Sequence, residues 1–172
     1  MSLPSSARPG SLGAWAALFV AGLGACGGPD ARPPNPTRPL DERTAIEVMR
    51  QGIADEGESP GPHRDVPVAD GKLLRLDVTV AGKKIGIAYL TSNDRTSLGG
   101  AVPARKAGDD SLQVLPGSGD EQGARYLILR DVDYLQDDHV GTDHESTTIT
   151  AEKKLQRDVR DFVVLARTQK WE

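Results

Sequence analysis

The chain has 172 residues, a formal net charge of −4 at pH 7 and an isoelectric point near 5.4. This length suits about one domain, and the mild acidity argues against nucleic-acid binding, which usually requires a strongly basic domain. Aromatic residues make up only 4% of the chain, so the core must consist mainly of Leu, Ile and Val.

The chain begins with three zones of different composition. Residues 1–11 are polar and carry one cation, Arg8, while residues 12–25 are apolar or small and lead directly to Cys26. A charged start, a short apolar run and a small-residue cleavage site are typical of a secretory signal peptide. As a helix the apolar run would span about 21 Å, which is less than the roughly 30 Å hydrocarbon core of a membrane. We therefore expect residues 1–25 to be a signal peptide rather than a transmembrane anchor.

The sequence Leu23-Gly24-Ala25-Cys26 resembles a lipobox, the processing signal of bacterial lipoproteins. The family pattern has an aliphatic residue, two small residues and then the cysteine, and all four positions match. The resemblance implies that Cys26 receives a diacylglyceryl group, that cleavage follows Ala25, and that the new amino terminus takes a further acyl chain such as palmitate. Two or three chains hold a protein at a membrane far more firmly than one chain does.

A proline-rich segment follows the cysteine. Residues 27–40 contain five prolines and two glycines, a composition that favours neither helix nor sheet. We expect residues 26–40 to form an extended tether behind the lipidated cysteine, and residues 41–172 to form a single globular domain. Gly27 does not resemble the Asp that marks inner-membrane retention in some bacteria. The lipoprotein signal therefore favours attachment to the outer membrane, with the domain in the periplasm or on the cell surface.

The first half of the domain shows one helical and one alternating pattern. Asp41 is expected to cap a helix over about 42–55, with its apolar residues on one face. Residues 57–72 are rich in Gly, Pro and Asp and are expected to form a loop. Strict alternation in LLRLDVTV (73–80) predicts a half-buried strand with Asp77 on its solvent face, and residues 84–91 are expected to return as its hairpin partner.

The second half is expected to add a short helix, a strand pair and a long helix. Ser92 would cap the short helix, and residues 111–115 and 124–131 would pair, with 124–131 as a central strand. Thr150 would cap an amphipathic helix with one apolar face, formed by Leu155, Val159, Phe162, Val163 and Ala166. The predicted fold is an α+β domain: a small antiparallel sheet of about four strands with an N-terminal and a C-terminal amphipathic helix packed on it.

The most polar run, residues 131–145, contains two of the three histidines. Imidazole and carboxylate groups are good ligands for zinc and similar cations. The residues of this run that could hold one divalent metal ion are Asp138, His139, Asp143, His144 and Glu145. Neither the histidine spacing nor the acidic spacing matches a known zinc or calcium motif, so we interpret the run first as a solvated acidic loop. No other cofactor is expected.

Two functions follow from these patterns. The first is a non-catalytic binding or structural domain of a membrane-anchored cell-envelope lipoprotein, with an envelope protein as a possible partner. The alternative is a metal-dependent periplasmic or surface hydrolase that uses the acidic loop 137–145, with His63 or Asp77 as a third participant. The sequence assigns no catalytic residue, and the expected partner through Cys26 is the membrane itself.

Overall fold

The structure, a computed structural model, describes residues 36–106, 108–137 and 147–171. It shows a mixed arrangement of helices and short strands, which confirms the α+β class. In chain order the elements are β1 (Thr37–Pro39), α1 (Glu42–Asp55), β2 (Pro60–Gly61), β3 (Arg64–Pro67), β4 (Leu73–Leu76), β5 (Val78–Val80), β6 (Ile85–Leu90), α2 (Ser92–Leu98), β7 (Gln113–Pro116), β8 (Arg125–Arg130), β9 (Leu135–Asp137) and α3 (Thr148–Thr168).

The main sheet has five strands in the order β2-β5-β6-β8-β7. Its neighbouring strands are antiparallel except for β6 and β8, which run parallel with Ile85 beside Arg125 and Leu90 beside Arg130. The prediction of an antiparallel sheet of about four strands is therefore wrong in strand number and in direction. A parallel pair needs a long crossover, and the segment between β6 and β8 supplies it. Strands β1 and β9 form a separate pair, as do β3 and β4.

The central strands β6 and β8 are buried on both faces, and their alternate side chains enter two separate hydrophobic clusters. Ile87 and Leu127 belong to the first cluster, together with the apolar faces of α1 and α3. Ala88 and Ile128 belong to the second cluster, which β3, β4 and α2 cover. The main sheet is thus the middle of three layers, and the predicted central position of residues 124–131 is confirmed.

Helices α1 and α3 form where the apolar periodicity places them. In α1, Met49 and Ile53 are fully buried, and Asp41 caps the helix as predicted. Its carboxylate accepts hydrogen bonds from the hydroxyl and the amide of Thr44, and these bonds lower the pKa of Asp41. The predicted apolar face of α3 is buried along its whole length.

Two helices start earlier than the sequence predicts. Thr147 caps α3 instead of Thr150, because the Thr147 hydroxyl accepts a 3.1 Å hydrogen bond from the Thr150 amide. Thr91 caps α2 instead of Ser92, and it does so through a capping box with Asp94. In both cases a second Ser or Thr lies close to the helix start, and propensity alone does not distinguish the two positions.

Three segments with the composition of loops contain strands. The prediction that residues 27–40 form neither helix nor sheet is wrong at Thr37–Pro39, which pair antiparallel with β9. Proline is tolerated there because an edge strand does not need every N–H for pairing. Residues 57–72 contain β2 and β3, and the acidic run 131–145 contains β9. These strands are only two to four residues long, too short to show an alternating pattern in the sequence.

The predicted strand over residues 73–80 is two strands that separate at Asp77. β4 pairs with β3, whereas β5 pairs with β6 in the main sheet. Leu74 and Leu76 therefore enter the second hydrophobic cluster, while Val78 and Val80 enter the first. The predicted hairpin is confirmed for β5 and β6 only. The break between β4 and β5 places Asp77 beside a cleft.

Candidate functional site

A cleft of about 560 Å³ opens beside the break between β4 and β5. Its walls come from the start of α1, from β4, from the end of β6 and from α2. This volume lies within the range of small-molecule binding pockets. The residues that line the cleft are Glu42, Lys72, Leu73, Leu74, Arg75, Asp77, Tyr89, Leu90, Thr91, Asn93, Asp94, Ser97 and Leu98.

Asp77 is the most unusual of these residues because its carboxylate is only 5% exposed. The prediction that Asp77 faces solvent is therefore wrong. Its backbone N–H donates to the Ile87 carbonyl at 2.8 Å, and its Oδ2 accepts a 2.8 Å hydrogen bond from the Tyr89 N–H. The side chain thus takes the place of a backbone acceptor just before β5, where the chain enters the main sheet, and it satisfies a buried amide that would otherwise lack a partner.

Burial sets the protonation of Asp77. Desolvation raises the pKa of this carboxyl from 3.8 to about 6, against the opposing effects of the Tyr89 hydrogen bond and the Arg75 cation. The carboxylates of Glu42 and Asp94 raise the pKa further. A titratable group with a shifted pKa in a cleft marks a candidate site, since binding and catalytic sites concentrate such groups.

Arg75 lies between two carboxylates without a short hydrogen bond to either. Its Nε is 3.5 Å from Asp77 Oδ1, and its Nη1 is 3.8 Å from Glu42 Oε1. The Arg75 side chain is 57% exposed, so water competes for the same guanidinium. The exposed pair with Glu42 is accordingly a weak one, and the pair with the buried Asp77 carboxylate lacks a close hydrogen bond.

Other polar groups of the cleft are fixed by the local backbone. Lys72 Nζ donates to the carbonyls of Ser97 and Leu98 at 2.8 and 2.9 Å, which satisfies carbonyls at the end of α2. Asp94 Oδ2 accepts a 2.9 Å hydrogen bond from the Thr91 N–H within the capping box. These bonds hold the α2 side of the cleft in one arrangement.

A largely buried ion pair between Arg95 and Asp131 fixes the start of α2. Asp131 follows β8 and accepts hydrogen bonds from the amides of Ser92 and Val132, at 3.1 and 2.8 Å. It also pairs with the Arg95 guanidinium, which donates in addition to the Leu90 carbonyl at 3.2 Å. Asp131 therefore joins the end of β8, the end of β6 and α2.

We expect the stability of the domain to fall as Asp77 ionises. Because the pKa of Asp77 is raised in the folded state, folding favours its protonated form, and this contribution declines as pH rises from about 4 through 6. Between pH 5 and pH 7.5 Asp77 should lower the free energy of unfolding by about 1.4 kcal/mol, the equivalent of one pKa unit. Urea titrations of the wild type and of Asp77→Asn at both pH values measure the effect, because the amide keeps the acceptor for Tyr89 but does not titrate.

The matched control for this measurement is Asp120→Asn, which changes an exposed carboxylate outside the cleft. It should keep the wild-type dependence on pH. If Asp77→Asn loses as much stability between pH 5 and pH 7.5 as the wild type does, Asp77 does not have a raised pKa.

Among the sequence-predicted candidates that the structure describes, Asp77 lines the cleft, whereas His63 and Asp137 do not. Cys26 and the metal-ligand candidates Asp138, His139, Asp143, His144 and Glu145 fall outside the described residues. Asp137, the first residue of the predicted loop, ends β9 and is buried. His63 is exposed between β2 and β3. The described ranges contain no group of three or more His, Cys, Asp or Glu side chains that could hold a metal ion.

No family model, curated protein or solved structure matches this chain. None of the helices in the described part of the chain has the length and apolar character needed to cross a bilayer. Sequence reasoning considered Asp77 but missed its surroundings, because Arg75, Glu42 and Asp94 come from three separate elements. In the sequence Asp77 is one of three polar residues that alternate with Leu and Val over 73–80, so nothing there distinguished it from a solvent-facing residue.

Proposed function

We propose that this protein is a membrane-anchored lipoprotein of the bacterial cell envelope with a non-catalytic binding domain. Lipid on Cys26 holds the chain at a membrane, by preference the outer membrane. The proline-rich residues before β1 separate the domain from the membrane surface. The observation that carries this proposal is Leu23-Gly24-Ala25-Cys26, followed at once by five prolines within residues 27–40.

The cleft at Asp77 supports a binding role for the domain. It has the volume of a small-molecule site, and its floor carries a carboxylate that is almost fully buried. Several of its polar groups already bond to the backbone, so the walls are formed before a ligand arrives. A preformed cleft reduces the entropy that binding costs. In this proposal the domain, in the periplasm or on the cell surface, takes a small molecule or a short segment of an envelope partner.

The alternative of a metal-dependent hydrolase depends on residues 138–145. These residues lie outside the described ranges, and the alternative stays a prediction from the sequence. Metal content of the purified full chain, compared with a His139→Ala/His144→Ala variant, separates it from the binding role.

Lipidation of Cys26 directly tests the proposed attachment to the membrane. In a bacterium that carries out lipoprotein processing, the wild-type chain should incorporate labelled palmitate, lose residues 1–25 and partition into detergent. Cys26→Ala should lose the palmitate label completely and accumulate as the uncleaved precursor, because the chain has one cysteine. Mass spectrometry of the N-terminal peptide, together with detergent phase separation, measures both effects.

Gly28→Ala serves as the control, because it changes the same region and leaves the four lipobox positions intact. It should be labelled and processed like the wild type. A wild-type chain that is cleaved at another position and carries no lipid would make the protein an ordinary secreted one and would refute the anchor.

A further inference from the structure

We propose that the cleft binds the primary ammonium group of a ligand at Asp77, in the place that the Arg75 guanidinium now occupies, with an alkyl stem along the apolar wall. This inference rests on the proposed binding role of the cleft and adds the chemical class of the ligand. Four observations on the described residues carry it.

The first observation is the free acceptor on Asp77. Its Oδ2 is used by the Tyr89 N–H at 2.8 Å, whereas the nearest cation to Oδ1, Arg75 Nε, is 3.5 Å away. A charge-assisted hydrogen bond is normally 2.7–2.9 Å long. Oδ1 therefore has capacity for a closer donor, and an ammonium group with three N–H donors supplies one.

The second observation is the loose hold on Arg75. The ion-pair distances from the guanidinium are 3.5 Å to Asp77 and 3.8 Å to Glu42, and more than half of the Arg75 side chain is exposed. The pair with Glu42 is exposed on both sides and contributes little, and the arriving ammonium group replaces the positive charge beside the buried Asp77 carboxylate. Arg75 can therefore turn into solvent at small cost when another cation arrives.

The third observation is the balance of charge around Asp77. Glu42 from α1 and Asp94 from α2 line the same cleft, and both act electrostatically on the Asp77 carboxylate. Against these three acids the cleft offers Arg75 and Lys72, and the Lys72 ammonium donates to two backbone carbonyls. If Arg75 leaves, the field at Asp77 is strongly negative, which favours a cation over an anion.

The fourth observation is the apolar wall next to the charged floor. Leu73 is 62% exposed, which is unusual for a leucine beside a cleft, while Leu74, Leu90 and Leu98 form the buried part of the lining. An alkyl stem that covers Leu73 would remove apolar surface from water, which favours binding. The combination of a carboxylate floor and a leucine wall fits an alkylammonium group better than an inorganic cation.

The test uses the Tyr89 amide as a reporter, because its N–H bonds directly to Asp77. The full chain, labelled with ¹⁵N and made by cell-free synthesis in a mild detergent, is titrated with n-pentylammonium, pentanoate and 1-pentanol. Each probe has five carbons in an unbranched chain, and the three differ in charge. We expect n-pentylammonium alone to shift the Tyr89 amide to saturation at pH 7.5. Its affinity should be about tenfold lower at pH 5, where about nine in ten Asp77 side chains are protonated.

Two variants complete the test. Asp77→Asn keeps the shape and the Tyr89 acceptor, so the domain should fold, and it should weaken n-pentylammonium binding about tenfold or more. Glu42→Gln removes a second acid from an exposed position and should weaken binding to a lesser degree. Asp120→Asn, outside the cleft, should bind like the wild type.

The other outcomes overturn the inference in distinguishable ways. If pentanoate binds as well as or better than n-pentylammonium, the cleft is a binding site for anions, and the proposed binding role stands without this ligand class. If 1-pentanol binds as tightly as n-pentylammonium, only the leucine wall contributes to binding, and the Asp77 carboxylate does not. If no probe shifts the Tyr89 amide, the cleft is not the ligand site, and the binding part of the proposed function fails as well. Lipidation of Cys26 is measured separately and does not depend on these results.

Discussion

Phe162→Ala should lower the free energy of unfolding by about 3–5 kcal/mol, the usual cost of truncating a fully buried phenylalanine. Phe162 is 0% exposed and belongs to the cluster in which α1, α3 and the main sheet meet. Its ring also lies 6.1 Å from the ring of Trp171, in a tilted arrangement that adds to the packing. The cavity left by the change would remove contacts between all three elements.

Urea titration, monitored by circular dichroism, measures the loss of unfolding free energy. Val164→Ala is the matched control, because it lies on the same helix but is 44% exposed. It should change stability by about 0.5 kcal/mol or less. Equal losses in the two variants would mean that α3 does not pack on the sheet through the face described here.

Asp131→Ala should cost about 3 kcal/mol, because it removes one partner of a largely buried ion pair. The Arg95 guanidinium would keep only the Leu90 carbonyl, and the amides of Ser92 and Val132 would lose their acceptor. The effect should extend to the cleft, since α2 supplies one of its walls. Urea titration gives the free energy of unfolding, and hydrogen exchange at the Arg95 amide, which donates to the Thr91 carbonyl at 3.1 Å, reports local opening of α2.

Asp131→Asn distinguishes the loss of charge from the loss of hydrogen bonds. The amide oxygen can still accept one of these bonds, so the loss should be about half that of the alanine variant. Asp120→Ala, an exposed carboxylate, should have almost no effect on stability. An Asp131→Ala protein as stable as Asp120→Ala would show that the Asp131 network contributes nothing to the fold.

The long helices were predictable because their signal is local. In α3 apolar residues recur at every third or fourth position from Leu155 to Ala166, and a pattern of that length indicates an amphipathic helix. The same holds for Met49 and Ile53 in α1, where Asp41 also provides a capping side chain. The sequence did not show which residue caps a helix wherever two hydroxyl residues lie within one turn, as Thr147 and Thr150 do.

The site was not predictable, because the alternation in residues 73–80 continues in phase through the break. Leu74, Leu76, Val78 and Val80 are all buried, as a single half-buried strand requires. They nevertheless enter two clusters on opposite faces of the main sheet. A period of two indicates that alternate residues are buried, but it does not indicate against which layer they pack. The charge cluster at Asp77 depends on this crossing and is invisible in the sequence.

The parallel pair was missed for a related reason. Both β6 and β8 were identified as strands, but strand direction depends on the path of the connecting chain. The crossover from β6 to β8 contains α2, a glycine-rich turn and β7, and it lacks the long helix that usually marks such a connection. Short-range patterns therefore favoured successive hairpins.

The pairing of α1 with α3 determines the order in which this domain can fold. Arg160 of α3 bonds to Glu56 at the end of α1, 104 residues earlier in the chain. The apolar face of α1 has its helical partner only after α3 has been synthesised, and contacts of such long sequence separation form late. A chain that crosses a membrane from its N-terminal end, as the predicted signal peptide implies, would remain incompletely folded until α3 had passed. In a chain exported in that way, completion of the fold would follow completion of transport.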